Sequence, residues 1–146
     1  MAGFVALSTN NDVYLGTYKS DESNGIENGQ WVTLDHKTNL GKLATASTGD
    51  NDVYFVENEN TDIVEQAKAE VEFKVQKGEY LRLSKPQAGT IYVTTNFNGT
   101  LAEGDEVAVG ANGQIGAIGS RTPNTKFVVK QKTTEFGKAA LRLLTL

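Results

Sequence analysis

The sequence predicts a mainly β protein, an antiparallel β-barrel or sandwich with an extended N-terminal arm and at most one short helix. Turn residues recur at short intervals: Asn10-Asn11-Asp12, Ser23-Asn24-Gly25, Asn28-Gly29, Thr48-Gly49-Asp50-Asn51-Asp52, Asn98-Gly99 and Asn112-Gly113. Between them lie short runs that alternate apolar with polar residues or are rich in β-branched and aromatic side chains, the pattern of many short strands. Proline, which cannot donate to a sheet ladder, is confined to Pro86 and Pro123. At 146 residues the chain suits one domain. That domain is expected over residues 21–146, preceded by residues 1–20 as an arm or a first hairpin.

The N-terminal stretch holds Phe4, Val5, Leu7, Val13, Tyr14 and Leu15 but shows no strand spacing across Ser8–Asp12. It reads equally as a loose arm or as a hairpin turning at Asn10-Asn11. Ser20 to Asn28 is polar and acidic and reads as a loop or linker. Trp31–Leu34 follows a glycine turn as a strand. Val53–Val56 is a continuous apolar run, consistent with a buried strand. Val71–Val75 and Tyr80–Leu83 alternate, so each has one wet face. Thr90–Thr94 is β-branched and aromatic, which suits a pleated surface. Val107–Val109 and Gln114–Ile118 flank Asn112-Gly113 as a hairpin with a two-residue turn. Lys126–Lys130 and Ala140–Leu144 flank a Thr133–Gly137 turn as a closing hairpin. The helical candidate is Asn60–Ala69, where Thr61 or Asp62 can cap the first turn and Ile63, Val64 and Ala67 make a thin apolar stripe. At about two turns it needs packing against the sheet to persist.

One pattern recurs: Gly29-Gln30-Trp31-Val32-Thr33-Leu34, Gly78-Glu79-Tyr80-Leu81-Arg82-Leu83 and Gly104-Asp105-Glu106-Val107-Ala108-Val109. Each is a glycine, a polar residue, then apolar residues two apart, which reads as a tight turn opening into a strand with a buried face. The intervals are too unequal for a solenoid or propeller, and generic β construction accounts for the pattern better than a functional repeat does.

Composition narrows function. A net charge of −4 and a pI near 5.0 argue against nucleic-acid binding, which rests on a basic face. The nearest basic set, Lys126, Lys130, Lys132 and Lys138, has strand-face spacing. The chain has no cysteine, which fits folding in a reducing cytoplasm. Met1–Thr9 lacks the basic start and apolar length of a signal peptide, and no stretch approaches the ~18 apolar residues of a membrane helix, so a soluble chain is expected.

Catalytic sets are not evident. His36, the single histidine, follows Asp35, but adjacent strand residues point to opposite faces. No serine sits in a nucleophile elbow. Asp50-Asn51-Asp52 offers oxygen ligands for Ca²⁺ without the EF-hand pattern, and these are also ordinary turn residues. The Gly110–Gly119 segment lacks the Gly-Lys-Ser/Thr ending of a phosphate loop. Asn98-Gly99-Thr100 matches a glycosylation sequon but reads as a turn. Glu57, Glu59, Glu65, Glu70 and Glu72 read as a solvated face. No enzyme activity, metal or cofactor is expected.

The assembled pattern is an acidic, cysteine-free β chain with a loose N-terminal stretch. It has Gly-Asp/Glu-led strands such as Ala102-Glu103-Gly104-Asp105-Glu106-Val107-Ala108-Val109, followed by Asn112-Gly113-Gln114-Ile115, and a strand-like tail, Ala139–Leu146. It resembles the decoration (cement) proteins on the outside of tailed-bacteriophage heads. The resemblance implies a small β barrel or sandwich with an extended arm, made in the host cytoplasm and located on the virion capsid surface. It implies the major capsid protein as partner and a homo-oligomer, commonly a trimer, that bridges capsid subunits, with no nucleic acid or membrane involved. An arm of this kind adds a strand to a partner's sheet edge. Residues 2–18 would be the clamp here, with Phe4, Val5, Leu7 and Tyr14 as apolar anchors. Two alternatives remain: another virion part (tail tube, connector or fibre module), or a carbohydrate-binding β-sandwich. The second needs exposed aromatics, and its candidates Trp31, Tyr54, Tyr80 and Tyr92 sit where core residues are expected.

Overall fold

Alternating runs become strands throughout the described chain. The computed structural model describes residues 17–58, 73–135 and 137–146, together with the backbone of two N-terminal strands, β1 (Phe4–Ala6) and β2 (Asp12–Val13). The other strands are β3 (Lys19–Ser20), β4 (Ile26–Glu27), β5 (Trp31–Asp35), β6 (Leu40–Leu43), β7 (Tyr54–Val56) and β8 (Lys74–Val75). They continue with β9 (Leu83–Ser84), β10 (Ile91–Thr94), β11 (Glu106–Val109), β12 (Ile115–Ala117), β13 (Phe127–Glu135) and β14 (Lys138–Thr145). The fold is mainly β, as the sequence predicts. The helical candidate at residues 60–69 lies outside the described residues, as do residues 71 and 72 of the predicted strand whose end is β8.

Two six-stranded sheets carry the architecture. The first runs β1-β10-β14-β13-β11-β12 and every neighbouring pair is antiparallel. The second runs β2-β9-β7-β5-β6-β3, antiparallel except at the parallel β3–β6 pair. A small antiparallel pair, β4 with β8, completes the sheets among the described residues. The second sheet curls back on itself. Tyr80, just ahead of β9, forms an antiparallel bridge with Lys19 of β3. The Ser20 amide donates to the Glu79 carbonyl at 2.9 Å and the Leu81 amide to the Tyr18 carbonyl at 2.7 Å.

Two cores result, one on each side of the curled sheet. Between the sheets, Trp31 and Phe55 meet Tyr92, Val107, Ile115, Phe127, Leu141 and Leu143. Trp31 sits at the centre of this group, with ring centroids 4.8 Å from Phe55, 5.1 Å from Tyr92 and 5.0 Å from Phe127. Inside the curl, Val32, Tyr54, Val56, Leu81 and Leu83 pack with Ile26, Phe73 and Val75. Successive strand residues point to opposite faces. Trp31 and Val32 therefore serve different cores, as do Phe55 and its neighbours Tyr54 and Val56. That is why β7 is a continuous apolar run: both of its faces are buried. Each such side chain contributes about 1.5–3 kcal/mol on burial.

Polar groups tie the sheets together at their margin. Buried Tyr92 and Ser84 share a hydroxyl–hydroxyl hydrogen bond of 2.8 Å between β10 and β9. The Thr94 hydroxyl donates to the Gly29 carbonyl at 2.9 Å, and the Asn96 amide to the Asn28 carbonyl at 3.0 Å.

The recurring sequence pattern corresponds to one recurring turn. Gly29, Gly78 and Gly104 have φ of 88°, 88° and 90°, each at the third position of a four-residue turn. The fourth residue's amide closes the turn on the first carbonyl: Gln30 to Glu27 at 3.2 Å, Glu79 to Gln76 at 3.0 Å and Asp105 to Ala102 at 3.1 Å. Its side chain also accepts from the first residue's amide, at 2.8, 2.7 and 2.9 Å respectively. Glycine is required because a positive φ at this position defines the type II turn. The polar residue is selected because it satisfies an otherwise free N–H.

Several details depart from the sequence reading. Ser20–Asn28, expected as a loop or linker, is built into the body. It carries the end of β3 and all of β4, and Ile26 is fully buried. The β11–β12 connection is wider than two residues. It spans Gly110–Gln114, with Gly110 donating to Gln114 at 2.9 Å and a short 3-10 turn at Ala111–Gly113. Space decides this, because the Gly113 amide must reach the Ala44 carbonyl at 2.8 Å, which docks the loop on the second sheet. The closing hairpin is longer than predicted, with register running to Glu135–Lys138, and its irregularity is a bulge between Val129 and Gln131.

Candidate functional site

Of the anchors read from the sequence, Phe4 and Val5 lie in β1 and Leu7 and Tyr14 lie outside the described residues. β1 is an edge strand, paired with β10 as Phe4–Thr94, Val5–Val93 and Ala6–Tyr92. β2 pairs with β9 at the edge of the other sheet. The two strands therefore pair with different sheets and not with each other.

The residues weighed for chemistry are spread apart and occupied structurally. His36 is exposed in the β5–β6 turn, and its Nδ1 hydrogen-bonds with the hydroxyl of buried Tyr18. Asp35 serves the turn: its Oδ1 accepts from the Lys37 amide at 2.9 Å and the Thr38 amide at 3.3 Å. These bonds, the Lys37 amide foremost, with help from the Thr38 hydroxyl, hold its carboxyl below the usual aspartate range. Asp50 pairs with Arg121, Oδ1 to Nε at 2.8 Å, and Arg121 also donates to the Val109 carbonyl. No group of three or more metal-ligating side chains occurs among the described residues. Lys126, Lys130, Lys132 and Lys138 are all exposed. Asn98 is exposed, its amide donating to the Ile115 carbonyl at 2.9 Å.

The aromatic candidates divide sharply. Trp31, Tyr54 and Tyr92 are buried, as their core assignment requires, whereas Tyr80 is 52% exposed. Its position is fixed by the backbone. The Gln76–Glu79 turn leads directly into it, the Lys19 bridge holds it from one side, and its carbonyl accepts from the Asn58 side-chain amide at 2.7 Å. The Lys19 ammonium lies over the ring, 5.1 Å from its centroid.

Tyr80 lines one cleft, and a second lies next to that one. One, of about 260 Å3, is lined by Thr17, Lys19, Thr38, Asn39, Leu40 and Tyr80. The other, of about 320 Å3, includes Asp21, Thr33, Asp35, Thr38, Leu40 and Lys42. Thr38 and Leu40 belong to both, so the clefts meet over the β5–β6 turn. That turn is held by Asn39 in the left-handed region, φ 57°, with its amide donating to the Asp35 carbonyl at 2.9 Å and its carbonyl accepting from the Lys19 backbone amide at 3.0 Å. Asp21 is ion-paired with Lys42 at 3.4 Å and Lys77 at 3.8 Å. A third cleft, of about 440 Å3, lies by Leu101, Ala117, Ile118 and Lys126 on the first sheet and presents no aromatic ring.

No family model matches the chain, and neither the curated proteins nor the solved structures provide a match.

Proposed function

We propose that the chain is a non-enzymatic virion structural protein that binds the outer surface of a phage capsid and stabilises it by bridging capsid subunits. The observation that supports this reading is the position of β1. Phe4–Ala6 is an edge strand joined to the body by antiparallel pairing with β10. Main-chain hydrogen bonds of this kind are indifferent to sequence, so the same segment can add to the edge of a neighbouring subunit's sheet. The partner is then the major capsid protein, and the working unit is a homo-oligomer. Many weak attachments on one shell give a stable coat through effective concentration.

Two measurements test the proposal. Particles sedimented from the source culture are analysed by mass spectrometry for this chain relative to the major shell protein. Comparable copy numbers support decoration. A handful of copies favours a tail or connector part, and absence removes the virion reading. A chain lacking residues 2–18 is then cosedimented with undecorated shells, and undiminished binding would sink the role given to the arm.

A further inference from the structure

We infer that the paired clefts at Tyr80 form a binding site for a neutral oligosaccharide. The inference shares Thr17 with the segment assigned to capsid attachment but does not rest on that attachment, because it can be measured on the isolated protein.

Holding the Tyr80 ring in solvent forgoes the burial that the aromatic rings of the cores gain. Trp31, Tyr54 and Tyr92 are taken into the cores, while Tyr80 is held in solvent between fixed backbone partners. One face of the ring carries the Lys19 ammonium, 5.1 Å from its centroid, so a ligand would meet the other, apolar face and the polar tip. A pyranose has the complementary form: a face of C–H groups ringed by hydroxyls.

The lining groups match the hydroxyls. Thr17, Thr38 and Asn39 supply groups that both donate and accept, Lys19 donates, and Asp21 and Asp35 accept. Charge selects the class. Lys19, Lys42 and Lys77 stand against Asp21 and Asp35, so the charges around the clefts nearly cancel and select neither a strongly anionic nor a cationic ligand. An apolar ligand would leave this polar lining without partners. The clefts share Thr38 and Leu40 as wall residues and so lie side by side, which suits a chain of sugars over a single one. Its openness to solvent suits weak, repeated contact.

The test is an amide-resolved NMR titration of the full chain with maltohexaose, cellohexaose and N-acetylchitohexaose, and with a heparin hexasaccharide as the charged control. At least one neutral sugar is expected to shift the amides of Lys19, Thr38, Asn39 and Tyr80 saturably, with Kd of about 0.1–10 mM. Tyr80→Ala is expected to weaken that binding at least about tenfold, while Tyr80→Phe, which keeps the ring, stays within about twofold. Saturation transfer from the Tyr80 ring protons to sugar C–H protons in the unsubstituted chain gives a readout that does not depend on any variant folding. The inference is overturned if none of the neutral sugars moves these amides at about 10 mM. It is equally overturned if heparin alone binds there, if Tyr80→Ala binds as well as the parent, or if no saturation passes from the ring.

Discussion

Gly113 and Gly119 share one backbone angle, φ 63°, and differ in what surrounds them, which makes them a controlled pair. A Cβ added at Gly119 meets nothing within 4 Å. At Gly113 it would lie 2.4 Å from the Trp31 carbonyl oxygen and 3.0 Å from Leu43 Cδ2. Alanine at either position accepts left-handed strain of roughly 1–2 kcal/mol. Its effect on the unfolded chain, about 0.4–1 kcal/mol in favour of folding, is common to both and cancels in the comparison. At Gly113 the crowding adds about 1–3 kcal/mol, since the obstacle is backbone that is itself paired in β5 and cannot swing aside. For a chain of this length each kcal/mol lowers Tm by about 2–4 °C. Gly113→Ala should therefore melt roughly 2–12 °C below Gly119→Ala. The assay is paired thermal and urea denaturation, followed by far-UV circular dichroism and by the fluorescence of the single tryptophan, Trp31. Equal midpoints for the two variants would refute the claim that the β11–β12 loop is locked against the start of β5.

Three further outcomes follow from the contacts. Tyr92→Phe strands the buried Ser84 hydroxyl and should cost about 1–3 kcal/mol in urea denaturation, most of it recovered by adding Ser84→Ala. A double-mutant cycle of Arg121→Ala and Asp50→Asn should give a coupling of about 0.5–1 kcal/mol, and a coupling of zero would remove this pair as a link between β11 and the Thr48–Asp50 turn. Asp35, held low in the folded chain chiefly by the Lys37 amide, contributes stability that is complete above its unfolded-chain pKa and is lost as pH falls through the lower folded value. NMR titration of its carboxyl should show the midpoint rising towards the ordinary value in Thr38→Val, which removes the hydroxyl contribution.

How much of the fold was legible depended on whether local pattern or distant packing decided each element. β5, β7, β10 and β11 lie where alternation or apolar density places them, because burial of one or both faces is written into the run itself. The three glycine-led turns were visible for the same reason: a positive φ and a side chain that closes the turn are both local demands. The Ser20–Asn28 stretch misled because its polarity is real while its pairing is remote. The Asp21 backbone amide donates to the Gly41 carbonyl at 3.0 Å, and the Glu22 carboxylate accepts from the Leu43 amide at 3.0 Å, contacts that no short window contains. The width of the β11–β12 loop was likewise set by Ala44, far away in the chain.

Tyr80 is the instructive case, since its exposure was encoded in its own segment. In Tyr80-Leu81-Arg82-Leu83 the period-two rule puts Leu81 and Leu83 on one face and Tyr80 with Arg82 on the other. Leu81 and Leu83 are fully buried inside the curl, so Tyr80 is turned outward. Alignment with Gly29-Gln30-Trp31 hides this, because it matches Tyr80 to Trp31 by distance from the glycine. β5 lies between two cores and can bury residues of both parities, whereas the segment ahead of β9 has a core on one side. The same turn thus delivers one aromatic ring to the interior and the other to solvent. Which of the two occurs is decided by the number of layers packed on the strand that follows.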